Sequence, residues 1–368
     1  MSARHRGAAL PRVVAAFALA AAAPLLFSAS GNVVNNMVLA AAYVVMALGL
    51  NVIVGYAGLL DLGYVAFYAI GAYTAAYFGS GYWGIHVGFM LILALAVAAT
   101  AVAGTLIGVP TLRLRGDYIA VVTLAFGEII GQIVSNGQSI EIFGGTLTAG
   151  PIPTGPIDPI GLPLIGRFGG LDLRPWYWFA LALVAVALVV TVNLRDSRLG
   201  RAWLALREDE EAAAFAGIPI VRTKLLAYAT GAAFGGISGA FLASYLGYVN
   251  AGQFEFYVSI FILTMVVLGG VGSISGVVMG AIILSLINNY LVRDLLFDLP
   301  RKVGLGFDLT AINSAIYGVI LVLVMLLRPQ GLVPTRRTAP SPLRAPAAAL
   351  PRSRAVGRPR RESPRAHR

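Results

Sequence analysis

The chain has no cysteine, and its three histidines, His5, His86 and His367, stand far apart along 368 residues. A disulfide framework, a Cys/His metal site and a haem ligand pair are therefore unsupported. Lysine occurs only at Lys224 and Lys302, and neither follows a glycine. The chain thus lacks the G-x-x-x-x-G-K-[ST] loop with which an ATPase cradles phosphates. No G-x-S-x-G, H-E-x-x-H or paired-carboxylate arrangement is present, so no enzymatic activity is expected of this chain. Charge is scarce as well, at 12% of residues against about 25% in a soluble domain.

Apolar side chains are abundant, at 58%. Such a chain cannot cover a water-facing surface with polar groups, and it carries runs long enough to cross a bilayer, which takes roughly 20 residues each. The reading is an all-α polytopic membrane protein of about ten transmembrane helices. They fall near 13–30, 35–54, 63–79, 86–110, 118–135, 176–194, 224–246, 257–269, 276–292 and 310–327. The first follows "MSARHR" like a secretory leader, but is read as an uncleaved span because nine further helices then give a consistent topology.

With the N-terminus cytoplasmic, twelve Arg and Lys before residue 332 fall inside and five outside, as the positive-inside rule requires. Residues 332–368 hold ten arginines against one glutamate and account for most of the net charge of +11. This Pro/Ala/Arg-rich stretch reads as a disordered basic cytoplasmic tail suited to anionic lipid headgroups, with no support for nucleic-acid reading. The expected division is 1–34, an N-terminal helix region, 35–331, the main membrane domain, and the tail.

Spans 63–79 and 257–269 are short, and both adjoin glycine-dense stretches, "GYAGLLDLG" and "VLGGVGSISG". Matching interruptions in two halves point to inverted repeats in a transporter. Short tilted or re-entrant pieces without symmetry explain them equally well. Glycines at four-residue spacing (Gly127 and Gly131, Gly235 and Gly239, Gly272, Gly276 and Gly280) suit close helix packing in lipid. Glu128 lies about 15 Å into its span. A carboxylate at that depth marks either a pathway or a structural hydrogen bond, with Gln132 one turn away on the same face. Asp61 sits near a helix start, where capping is the stronger explanation.

The densest charge in the chain, Glu208, Asp209, Glu210 and Glu211, lies in the loop 195–223. Ser197 is placed to cap a helix with Leu199, Trp203 and Leu206 on one face. A second short helix is expected from about Glu208 to Ala216, its four acids in the first turn, Gly217 at its left-handed end and Pro219 beyond it. Phe215 is an aromatic on a short helix with little core of its own to enter. Such a stubby cytoplasmic helix suits a groove on a partner, and the alternative is a solvated loop that merely satisfies topology.

The segment "EAAAFAG" (211–217) fits the E-A-A-x-x-x-G pattern of ABC-importer permeases. "GYAGLLDLGYVAFYAIGAYTAA" (55–76), "RLRGDYIAVVTLAFGEII" (113–130), "REDEEAAAFAGIPIVRTKLLAYATGAAFGGISGAF" (207–241), "MVVLGGVGSISGVVMGA" (265–281) and "RPQGL" (328–332) together resemble the LivM-type permease of branched-chain amino-acid importers. The resemblance runs in order through most of 37–332, departing in the 137–175 loop and the Arg-rich tail. It implies a type II ABC-importer-like permease of the bacterial inner membrane, providing the pathway for branched-chain amino acids. The implied partners are a LivH-type permease, LivG- and LivF-type ATPases and an extracytoplasmic binding protein. The chain itself would hold no cofactor, ATP and Mg being used by the ATPases. The resemblance puts ATPase coupling on Arg207, Glu208, Glu211, Ala212, Ala213, Gly217 and Arg222, and the pathway or gate on Asn51, Asp61, Tyr64, Asp117, Glu128 and Asn250. Rival readings are a urea or short-amide importer permease, an ion-coupled secondary transporter and a membrane-embedded structural subunit.

Overall fold

The computed structural model describes residues 15–28 except 16, residues 31–288 with breaks at 113, 115, 117, 143–144, 163–165 and 170–171, and scattered positions between 319 and 333. Asp117, the end of the ninth expected span, most of the tenth and the tail beyond Val333 lie outside the described residues.

The helices are α1 (Phe17–Leu26), α2 (Asn32–Tyr56), α3 (Val65–Phe78), α4 (Phe89–Thr111), α5 (Tyr118–Asn136), α6 (Arg174–Asp196), α7 (Arg198–Glu208), α8 (Glu210–Phe215), α9 (Ile220–Leu246), α10 (Phe256–Gly269) and α11 (Ile274–Leu286). Among the described residues five of them, α2, α4, α5, α6 and α9, are long and apolar enough to cross a membrane. The sequence suggested more full-length spans than this. The difference lies in α1 and α11, of 10 and 13 described residues, and in the tenth span, most of which is outside the described residues. It lies also in the two spans already read as short, α3 and α10, which hold 14 residues each, or about 21 Å at 1.5 Å per residue. Both are cut short by glycine-rich backbone that leaves the helix while still inside the protein.

Three small antiparallel ladders gather between the helices. They are β1 (Gly79–Ser80) with β2 (Ile85–His86), β3 (Glu141–Ile142) with β4 (Gly145–Thr146), and β5 (Gly161–Leu162) with β6 (Gly166–Arg167). Tyr77 donates its hydroxyl to the Leu147 carbonyl, and bridges join Ser80 to Ile157 and Thr154 to Val249. The connections after α3, α5 and α9 therefore meet at one end of the bundle. The loop 195–219 lies at the other end, where Arg207 meets Gly55.

α9 is the axis of the bundle and packs against α2, α3 and α4. Its glycines face different neighbours: a Cβ at Gly235 would reach within 2.8 Å of the Phe67 Cβ on α3, and one at Gly236 within 2.9 Å of the Ala96 carbonyl on α4. Gly239 lies against the α3 backbone at Tyr68 and Ala72. Lipid gives helices no hydrophobic reason to associate, so this backbone-level approach supplies dispersion contact instead.

Buried backbone outside helices needs partners, because water is not there to supply them. At the first break α2 loosens into a π turn over Asn51–Tyr56, and the chain crosses the interior to Tyr64. There the Asp61 carboxylate accepts from Gly63 N–H at 2.9 Å, Thr123 accepts from Leu62 N–H at 3.0 Å, and Ser259 accepts from Val65 N–H at 2.9 Å. At the second break, Gly270–Ser273, Asn51 accepts from Gly272 N–H at 2.8 Å. The two breaks are thus joined directly. Beyond α11, Leu332 and Val333 donate their N–H groups to the carbonyls of Leu268 and Gly269, at 2.8 and 3.1 Å.

Candidate functional site

The loop 195–219 folds as two helices held onto the start of α9. Ser197 caps α7, its Oγ accepting from Gly200 N–H at 3.1 Å. Trp203 and Leu206 are buried, and the Trp203 indole donates to the Thr223 carbonyl at 2.8 Å. Leu199, on the same face by spacing, is only partly covered.

The four acids do not share one helix turn, as the sequence suggested. Glu208 ends α7, and Asp209 adopts extended backbone (φ −159°, ψ 114°) as the cap of α8. Its carboxylate accepts from Glu211 N–H at 2.9 Å and Ala212 N–H at 3.0 Å. Two of the donors left unpaired at a helix start are served in this way. Glu210 and Glu211 remain in the first turn. Glu210 reaches back to Lys224, Oε1 to Nζ 2.8 Å, and the lysine side chain is only 1% exposed. At the far end Gly217 is left-handed (φ 81°). Gly217 N–H donates to Ala214 and Ile218 N–H to Ala213, the paired Schellman bonds that close a helix.

These bonds fix which side of α8 looks out. Ala213 is buried, while Ala212, Ala214, Ala216 and Gly217 are exposed and Phe215 is 93% exposed. Arg222 is exposed on the first turn of α9. Arg207 is exposed as well, but its Nη1 reaches the Gly55 carbonyl of the bundle. Of the residues expected to contact a partner, Glu208, Glu211, Ala212, Gly217 and Arg222 are exposed and Ala213 is buried, whereas Arg207 is exposed along only part of its side chain.

A cavity of about 660 Å³ lies between α5 and α10. Glu128, Gln132 and Ser135 line it from α5, and Phe254, Glu255 and Tyr257 from the opposite wall. Gly127 and Gly131 leave the α5 side smooth; Gly127 also packs against the Gly63 Cα, 3.0 Å from where its Cβ would stand. The cavity therefore carries two carboxylates, amide and hydroxyl groups, and aromatic faces. Glu255 was missed by sequence reasoning because it stands at the edge of a span, where an acid carries no depth signal.

The other expected pathway residues do not line this cavity. Asn51 and Asp61 are buried at the helix breaks described above. Tyr64, also buried, donates to the Gly231 carbonyl of α9 at 2.9 Å. Asn250 caps the short turn Ala251–Phe254 through Gly252 N–H, at 2.9 Å. Asp61 therefore orders the chain before α3 through Gly63, but it does not cap that helix, whose N-cap is Tyr64 with no side-chain cap bond. One oxygen of Asp61 and the Asn51 amide nitrogen, both buried, have no hydrogen-bond partner among the described residues.

The family model described as "Branched-chain amino acid transport system / permease component" matches residues 32–325. The chain is 39% identical over 344 residues to the high-affinity branched-chain amino acid transport system permease protein LivM of Escherichia coli (strain K12), covering 88% of this chain and 75% of that protein. It is 24% identical over 335 residues to the probable LivM permease of Methanocaldococcus jannaschii, covering 82% and 93%. The E. coli (strain K12) permease LivH is 24% identical over 309 residues, covering 81% of this chain and 93% of that protein. No solved structure matches the chain.

Proposed function

Since the chain belongs to the family of branched-chain amino acid transport permeases, we propose how its two sites divide the labour of such a subunit. It is a multi-pass membrane protein and a permease subunit of an ATP-binding-cassette importer for branched-chain amino acids. On the proposed reading it sits in the bacterial inner membrane with both termini cytoplasmic, beside a LivH-type permease, LivG- and LivF-type ATPases that use the ATP and Mg, and an extracytoplasmic binding protein. Ten spans are proposed, with α3 and α10 as counterparts in two inverted halves. Their equal length and their glycine breaks support that pairing. The basic tail 332–368 is proposed to lie on anionic lipid.

The observation that carries the coupling role is the outward Phe215, held out by a helix whose inner side is bonded down. A single exposed ring would mean little, but Phe215 stands among exposed Ala212, Ala214 and Ala216, and a contiguous apolar face is what marks a protein contact. The cavity between α5 and α10 is proposed as this subunit's share of the pathway. Apolar walls with a few polar groups suit a substrate with an aliphatic side chain. The Glu128 and Glu255 carboxylates complement its ammonium group.

The test is co-expression with the two ATPases, the second permease and the binding protein. Phe215→Ala should leave insertion intact and lower ATPase co-purification roughly tenfold or more, as removal of an aromatic anchor does. Undiminished co-purification would overturn the coupling role. Uptake by this chain alone on an ion gradient would overturn the importer reading.

A further inference from the structure

Arg207 is the penultimate residue of α7, yet its side chain leaves the loop. Its guanidinium donates from Nη1 to the carbonyl of Gly55, in the π turn that ends α2. Its stem lies over Gly58, where a Cβ would stand 2.8 Å from the Arg207 Cγ. The same Nη1 would stand 3.0 Å from a Cβ at Gly272. Gly58 and Gly272 are both left-handed, with φ of 71° and 86°. The side chain thus occupies a slot walled by three glycines, and the slot joins the break after α2 to the break between α10 and α11. Asn51 ties the same two breaks from inside through Gly272 N–H.

Part of the Arg207 side chain is exposed, but its stem and its Nη1 donor are engaged with the bundle, unlike the Phe215 ring. The rest of the loop is bonded to the start of α9, through Trp203 to Thr223 and Glu210 to Lys224. Arg207 instead bonds to the first helix break and lies against the second. An arginine is suited to that task, since its rigid fork holds a fixed charge and several donors against backbone carbonyls. We infer that Arg207 is a positioning residue that carries displacement of α7 and α8 to the joined helix breaks, and that it does not contact the ATPase. The inference rests on the permease reading of the loop.

The test uses the complete importer in liposomes, with wild type, Arg207→Ala or Arg207→Lys. ATPase retention, ATP hydrolysis and amino-acid uptake are read together. Retention and hydrolysis should stay at wild-type levels in Arg207→Ala. Uptake per ATP should fall roughly tenfold, the factor expected when a hydrogen bond to a charged donor is lost. Arg207→Lys keeps a charged donor and should fall between the two. Loss of ATPase retention, or an unchanged uptake per ATP in both variants, overturns the inference. Hydrogen exchange on the purified chain gives a readout without partners. Amides at 55–63 and 270–273 should exchange faster in either variant, with α4 and α6 unchanged as the check on folding; unchanged breaks overturn the inference. A wild-type chain that retains no ATPase would instead refute the permease reading, and exchange would still decide what Arg207 holds.

Discussion

Two close pairs between a basic and an acidic side chain sit at opposite ends of the bundle and are nearly equal in length. Glu210 and Lys224 meet at 2.8 Å, His86 and Asp158 at 2.6 Å. Their surroundings differ. The Lys224 side chain is 1% exposed and Glu210 35%, against 57% for His86 and 49% for Asp158. Distance therefore says little about what each pair holds. At the loop end, side chains reach into the bundle and tie α8 to α9. At the ladder end, the backbone does that work: Asp158 N–H donates to the Gly79 carbonyl at 2.6 Å whether or not its carboxylate is paired.

The comparison can be broken or sharpened by substitution, with thermal unfolding of the purified chain in detergent as the measure. Glu210→Ala should have the largest effect, about 3 kcal/mol, because it leaves the Lys224 charge buried and unpaired. Adding Lys224→Met should recover most of the loss; no recovery would mean that the pair itself is not what counts. Gly217→Ala at the loop end and Gly84→Ala at the ladder end should each lose about 1–2 kcal/mol, the penalty for a side chain in left-handed backbone. Both glycines have positive φ, 81° and 68°, with open space around them. Unequal losses would show that the two ends differ in more than side-chain anchoring. Asp158→Asn should have the smallest effect, about 0.5 kcal/mol or less, as for other exposed pairs.

Sequence made the spans legible because each is one long apolar run between charged or glycine-rich breaks. α6 and α9 came within a few residues of their observed ends. The caps of the loop helices were equally legible, since Ser197, Gly217 and Pro219 act on neighbours two to four residues away. The split among the four acids was not, because it depends on the extended backbone of Asp209. Glu210's partner lies 14 residues on, in the next helix. Arg207's contact with the bundle was also beyond reach: its slot is assembled from Gly55, Gly58 and Gly272, residues distant in the chain. The ladders after α3 and α5 have two residues per strand, too few for any alternation to show.

The glycines of α9 also bear on how the protein is made. Of the five long apolar helices, α9 is the least hydropathic, and it follows α2, α3 and α4 in the chain. It therefore gains less from lipid than the other four. Its three partners are already synthesised when it emerges, and their surfaces fit its bare backbone faces. Docking onto α2, α3 and α4 is therefore expected to favour the integration of α9, and truncating the chain before α9 should leave the surfaces it covers on those three helices bare.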